Sequence, residues 1–196
     1  VLISVDNELK ALIGIRDQIR PGVKEDLQKL KKLGVKNLVV LSGDNQGTVD
    51  LVARELGLTE AHGHMLPGDK STYIEKLKAK GHIVAFVGDG VNDSPSLALA
   101  QIGIAMGSGT DVAIETSDVV LMNSDFSRLP HALGLTKATA NNMRQNIIIA
   151  VGVVLILLAS VFFSEWMNMS IGMLVHEASI LFVILNGMRL LRYKLR

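Results

Sequence analysis

The chain has 196 residues, a net charge of +1 and no cysteine. A charge so close to zero offers no field to attract nucleic acid, and the lack of thiols excludes both a disulfide framework and a thiolate metal site. The average conceals a boundary: nearly all the acidic residues lie before Asp125, whereas the C-terminal stretch is dominated by Ile, Val, Leu, Met and Phe, so a soluble part is followed by a membrane part.

Residues 1–5 and 9–15 read as neighbouring strands around an Asp6-Asn7 turn, and nothing in the opening residues resembles a basic leader or a cleavage site. The chain is therefore expected to begin mid-domain. Arg20-Pro21 stops that pattern. Residues 22–33 then place Val23, Leu27 and Leu30 at helical spacing between lysines and close at Gly34, which predicts an amphipathic surface helix. A short apolar run over 37–41 suits a buried parallel strand and ends in Ser42-Gly43-Asp44. Residues 48–56 read as the next helix, closed by Gly57, and Met65-Leu66-Pro67-Gly68-Asp69-Lys70 leads into a helix over 71–79.

The apolar run 82–87 ends in a glycine turn carrying two carboxylates, Asp89 and Asp93, and a helix over 94–100 follows. Residues 102–105 and 119–122 read as further short strands with a helical turn over 111–115 between them. This β-α alternation predicts a parallel sheet with helices on both faces, in which the strand tips share one edge facing the ligand crevice. Ser42 and Asp44 are thus expected near Asp89. The pair Asp89 and Asp93 suits one Mg²⁺, a hard ion held by one or two carboxylates plus phosphate oxygens. Phosphoryl transfer asks mainly for positioning and positive charge. The Ser42 hydroxyl and the Gly43 amide can donate to phosphoryl oxygens, and Lys70 can neutralise them.

The order of these parts, a strand-end hydroxyl, a lysine opening a helix and then a G-D-x-x-x-D turn, resembles the haloacid dehalogenase-like phosphotransferases. Gly88 to Pro95 also matches the G-D-G-x-N-D-x-P hinge motif of the P-type cation-transporting ATPases. That family has T-G-D where this chain has Ser42-Gly43-Asp44, and P-x-x-K where it has Pro67 to Lys70. The resemblance implies phosphorylation-site roles for Ser42, Gly43, Asp44, Lys70, Asp89, Asn92 and Asp93, with Mg²⁺ and ATP as cofactors. The family's phosphorylated aspartate sits in D-K-T-G-T, a string that occurs nowhere in these residues. The resemblance therefore implies a C-terminal fragment, inactive alone, whose partner is the N-terminal portion of the same pump.

Residues 146–163 form an apolar run of about the 20 residues that a bilayer core demands. A helical pattern over 129–144 precedes it, residues 164–170 read as a short polar turn with only Glu165 charged, and 171–191 make a second span. Lys137 and Arg144 flank the first span, while Arg189, Arg192, Lys194 and Arg196 close the second, so both ends are expected in the cytoplasm. The second span carries His176, Glu177, Ser179 and Asn186. Ionisable groups at membrane depth cost at least about 2.5 kcal/mol on insertion scales and usually serve a function. At 100° per residue His176, Ser179 and Asn186 share a face, with Glu177 at its edge.

Asn186-Gly187-Met188-Arg189-Leu190 matches the N-x-x-R-L that closes the last span of the heavy-metal P-type ATPases. Counting back from it, His176-Glu177-Ala178-Ser179-Ile180 resembles the H-E-G-G-T motif of the cobalt-type group, with Ile180 in place of the threonine. That resemblance implies transport of zinc, cobalt, cadmium or iron(II), and imidazole with carboxylate suits such ions better than copper(I). The expected architecture is an α/β, haloacid dehalogenase-like parallel-sheet phosphorylation domain over 1–126, a helical connector over 127–145 and a two-helix transmembrane hairpin over 146–196. Its setting is a cell membrane, multi-pass, with the lipid bilayer and a divalent metal ion as further partners. Two alternatives stand beside it: a membrane-tethered phosphatase that transports nothing, and a non-catalytic metal-binding fragment.

Overall fold

A computed structural model describes residues 2–6, 8–12, 18–163 and 168–194. The chain opens with an antiparallel hairpin, β1 (Leu2–Val5) and β2 (Glu8–Leu12), turned at Asp6 in a left-handed conformation that aspartate tolerates better than most residues. An α/β alternation follows: α1 (Val23–Lys32), β3 (Val39–Leu41), α2 (Gln46–Leu56), β4 (Glu60–His62), α3 (Pro67–Ala79), β5 (Ala85–Gly88), α4 (Ser94–Leu99), β6 (Ile102–Met106), α5 (Asp111–Glu115) and β7 (Val119–Leu121). Two long helices end it, α6 (Arg128–Phe163) and α7 (Met169–Met188), the second running into a 3₁₀ turn, Arg189–Arg192.

All the strand pairs after the hairpin are parallel, as the alternation predicts, but they form two pieces. β3 pairs with β4, and β5-β6-β7 form a second ladder. Leu27 and Leu30 of α1, Val49 and Ala53 of α2, Ile74 of α3, Leu97 of α4, Ala113 of α5 and Ile104, Ala105 and Leu121 of the strands supply the buried apolar core. Strand β4 is absent from the sequence expectation. Its three residues, Glu60-Ala61-His62, carry no apolar alternation, and their extended state comes from pairing with β3.

Tyr73 ties α3 to β4: its hydroxyl donates to Glu60 Oε2 at 2.7 Å and its ring lies 4.8 Å from that of His62. Burial, helped by that hydrogen bond, pushes the Tyr73 phenol up to about 12. The bond from Tyr73, with a second from His62, holds Glu60 below the usual carboxylate range. A depressed carboxylate contributes stability above its unfolded value of 4.5 that is lost as pH falls through its folded value. The raised phenol contributes below pH 10 and its share is lost as pH climbs toward 12. Tyr73→Phe should therefore lower stability at neutral pH by no more than about 1 kcal/mol, since Glu60 is largely exposed, and should flatten the acid limb of stability against pH in denaturant titrations.

The helical pattern ahead of the first apolar run is expected to lead straight into it. The pattern over 129–144 and the run over 146–163 are one uninterrupted helix, α6, of 36 residues. At 1.5 Å per residue α6 is about 54 Å long, well beyond a hydrocarbon core of about 30 Å, so a good part of it stands outside any bilayer it crosses. Its most apolar window and that of the segment Met169–Arg192 have mean hydropathies of 2.8 and 1.7, and neither window is buried inside the protein. The expected turn over 164–170 lies mostly outside the described residues.

Candidate functional site

The C-terminal ends of β3 and β5 carry the expected polar turns. After β3, the Ser42 hydroxyl donates to Asp44 Oδ2 at 2.7 Å and accepts the Asp44 N–H at 3.2 Å, closing a tight Ser42-Gly43-Asp44 turn. The Ser42 hydroxyl proton is already committed to a carboxylate, and an arriving phosphoryl oxygen must compete for it.

The loop after β4 braces this turn. Ser42 N–H donates to the His62 carbonyl at 2.9 Å, Met65 N–H to the Ser42 carbonyl at 2.9 Å, and His64 N–H to the Asp44 carbonyl at 2.7 Å. Gly63 makes the close approach possible, because a Cβ there would lie 2.7 Å from Gln46 Cα. Its N–H donates to Gln46 Oε1 at 2.6 Å. Two residues past Met65, helix α3 begins at Pro67, a residue suited to a helix start, four positions earlier than expected. Asp69 accepts from the Leu66 N–H at 2.9 Å, which fixes the first turn. Lys70 lies within that turn.

Lys70 Nζ donates to Asp93 Oδ1 at 2.8 Å, with both side chains only 15% exposed. This ion pair spans 23 residues and links the β3–β4 piece to the β5 piece. Asp93 is thereby engaged through one oxygen. Asp89, beyond the end of β5, is exposed, and among the described residues its carboxylate has no hydrogen-bond or ion-pair partner. Asn92, in the 3₁₀ turn Val91–Asp93, is also exposed. The arrangement offers one unengaged carboxylate, one carboxylate oxygen held by ammonium and a serine-aspartate turn. These are hard oxygen donors beside a positive charge, a set that fits Mg²⁺ together with phosphate.

The backbone of Asp89 is pinned by a segment that sequence reasoning passed over, the Gly107-Ser108-Gly109-Thr110 turn after β6. Thr110 N–H donates to the Asp89 carbonyl at 3.0 Å, and a Cβ on Gly109 would sit 2.8 Å from that same oxygen. Backbone atoms cannot swing aside as a side chain can. Gly109→Ala should therefore displace Asp89 and weaken Mg²⁺ binding by about tenfold or more, measured by Mg²⁺ titration, while Gly68→Ala, at an open position, should leave it within twofold.

In α7, His176 and Glu177 are adjacent and exposed. The Ser179 hydroxyl donates to the His176 carbonyl at 2.7 Å, within its own helix, which leaves its lone pairs available. Among the described residues no group of three or more His, Cys, Asp or Glu side chains converges into a metal cluster. Asn186 departs from the expected ligand set. It lies ten residues, about 15 Å along the axis, from His176, too far for one ion to touch both. Its amide faces α6, where its Nδ2 donates to Asn146 Oδ1 at 2.8 Å and its Oδ1 accepts from Arg189 Nη1 at 2.8 Å.

Two family models for haloacid dehalogenase-like hydrolases match residues 1–101 and 70–133. A probable cadmium-transporting ATPase of Staphylococcus aureus (strain MRSA252) is 40% identical over 195 residues, 99% of this chain and 27% of the relative. The zinc-transporting ATPase of Bacillus subtilis (strain 168) is 40% identical over 192 residues, 98% of this chain and 30% of that protein. Among solved structures, a zinc-transporting PIB-type ATPase in its E2.Pi state superposes with a TM-score of 0.78 at 38% identity, covering 90% of this chain and 29% of the other. The chain thus spans between a quarter and a third of the length of these relatives. It belongs to the haloacid dehalogenase-like hydrolases, and within them its sequence and fold are similar to the heavy-metal-transporting P-type ATPases over nearly its whole length.

Proposed function

We propose that residues 1–126 serve as the distal part of the phosphorylation domain of an ATP-driven metal pump, that 127–145 connect it to the membrane, and that 146–196 form its last transmembrane hairpin with both ends cytoplasmic. The observation that carries this reading is the Lys70–Asp93 ion pair together with the exposed carboxylate of Asp89, which has no partner among the described residues. Lys70 presents positive charge to phosphoryl oxygens, and Asp93 holds its ammonium in place. The Gly43 amide and the Ser42 hydroxyl would be further donors to those oxygens. Asp89, with the remaining oxygen of Asp93, would hold Mg²⁺, which when bound neutralises charge on the phosphoryl group. The nucleophile would be an aspartate supplied by a segment outside these 196 residues, forming an aspartyl phosphate, with ATP bound by that same missing portion.

The cargo in this reading is a divalent heavy metal, zinc, cadmium, cobalt or iron(II), bound by His176 and Glu177 with Ser179 at the margin. A borderline ion suits imidazole and carboxylate, and the low-dielectric position makes each ligand count. The test compares two preparations. The pump-length protein should form an acid-stable phosphoenzyme from ATP when a divalent metal is added, and the 196-residue chain alone should form none. Metal-independent hydrolysis of small phosphate esters by the chain alone would favour the tethered phosphatase instead.

A further inference from the structure

A closed ring of amide hydrogen bonds joins α6 to α7. Asn142 Nδ2 donates to the Asn186 carbonyl at 2.8 Å, Asn186 Nδ2 donates to Asn146 Oδ1 at 2.8 Å, and Asn146 Nδ2 donates to Asn142 Oδ1 at 3.2 Å. Asn186 Nδ2 also reaches Gln145 Oε1 at 3.4 Å, and Arg189 Nη1 donates to Asn186 Oδ1 at 2.8 Å. Asn142 is only 7% exposed, one of four buried polar or charged residues among those described.

The place of the ring in the fold gives it consequence. The Asn186 carbonyl, which accepts the Arg189 N–H where α7 gives way to the 3₁₀ turn, takes its second hydrogen bond from Asn142 on a different helix. Five residues before Asn142, about 7.5 Å along α6, Lys137 Nζ donates to the carbonyl of Leu33, the residue that caps α1. The rings of His131 and Tyr193 meet at 5.6 Å on the same side of the hairpin. A continuous line of contacts therefore runs from α1 in the α/β part, through rigid α6, into the end of α7.

We infer that the Asn142-Asn146-Asn186 ring is a clasp that makes α6 and α7 move as one body, so that displacement of the α/β part is delivered to His176 and Glu177. The clasp residues are positioning residues. The two bonds that cross between the helices, Asn142 to Asn186 and Asn186 to Asn146, are met together in only one register, so sliding or separation of the helices breaks both. The consequence for transport rests on the pump reading, but the mechanical claim does not.

The test uses the absence of cysteine in this chain to place two spin labels, at Lys32→Cys on α1 and Leu191→Cys beyond α7, in the chain reconstituted in lipid nanodiscs. The distance distribution should be single and narrow, and Asn142→Ala/Asn146→Ala should broaden it at least about twofold. An unchanged distribution overturns the clasp, whatever the protein transports. In the pump-length protein the same double substitution should cut metal-stimulated phosphorylation by ATP about tenfold or more, the scale of a typical coupling energy, while phosphorylation from inorganic phosphate stays within twofold. Equal loss of both would mean that the ring only stabilises the fold, and would overturn coupling. If the unsubstituted pump-length protein shows no metal stimulation, the pump reading fails and the label distances alone decide the clasp.

Discussion

Asp89→Asn should reduce Mg²⁺-dependent phosphorylation of the pump-length protein by about a hundredfold or more, because it removes the exposed carboxylate of the strand-end site that, among the described residues, neither a cation nor a hydroxyl engages. Asparagine keeps the size and one oxygen, so the fold and the Thr110 hydrogen bond to the residue 89 carbonyl survive. The loss should therefore read as a raised Mg²⁺ requirement and not as unfolding. Asp93→Asn should behave differently. Its Oδ1 holds Lys70 Nζ in a site where both side chains are 15% exposed, so neutralising it strands an ammonium with little access to water. That variant should lose thermal stability as well as activity, and its Mg²⁺ requirement should change less than that of Asp89→Asn. Phosphorylation titrated against Mg²⁺, alongside thermal unfolding of each variant, separates the two. Normal phosphoenzyme formation in Asp89→Asn would remove the metal role from this residue.

The parts of this site that the sequence made legible are those whose conformation is local. The glycine turn carrying Asp89, the Ser42-Gly43-Asp44 turn and helix α5 (Asp111–Glu115) all follow from turn residues and spacing within a few positions. What escaped depends on partners far along the chain. β4 is a strand because β3 lies beside it. The Lys70–Asp93 pair joins residues whose meeting requires the helix crossover between them. The Gly107–Thr110 turn is the clearest case, since its glycines read as ordinary loop residues until the Asp89 carbonyl is seen against Gly109.

In the membrane part the polar residues misled in an instructive way. Asn142 and Gln145 stand out in no motif, Asn146 opens the first apolar run, and Asn186 looks like part of a transport stripe. Asn186 instead bonds to all three of the others across α6 and α7. A polar residue in an apolar helix signals a partner, but periodicity along one helix cannot say whether that partner is an ion or another helix. Of the polar stripe on α7, His176, Glu177 and Ser179 keep ligand capacity.

If His176 and Glu177 hold the cargo as proposed, His176→Ala and Glu177→Ala should each abolish metal-stimulated turnover of the pump-length protein, by about a hundredfold or more, because each deletes a ligand from a low-dielectric site where water substitutes poorly. Phosphorylation from inorganic phosphate should persist in both, since that back-reaction draws on Asp89, Lys70 and the strand-end turns and not on α7. The separation between the two assays is what distinguishes a cargo site from a structural one. Ser179→Ala should fall between. Its hydroxyl proton is spent on the His176 carbonyl at 2.7 Å, leaving only a neutral oxygen to offer a metal, a weaker ligand than imidazole or carboxylate. Asn186→Ala should leave metal affinity unchanged while disturbing the α6–α7 contact, since its amide is used between the helices. Stimulation measured with zinc, cobalt, cadmium, iron(II) and copper(I) ranks the cargo. Strongest stimulation by copper(I), or full metal-stimulated turnover in His176→Ala, would overturn the assignment of a borderline divalent ion to this imidazole-carboxylate pair.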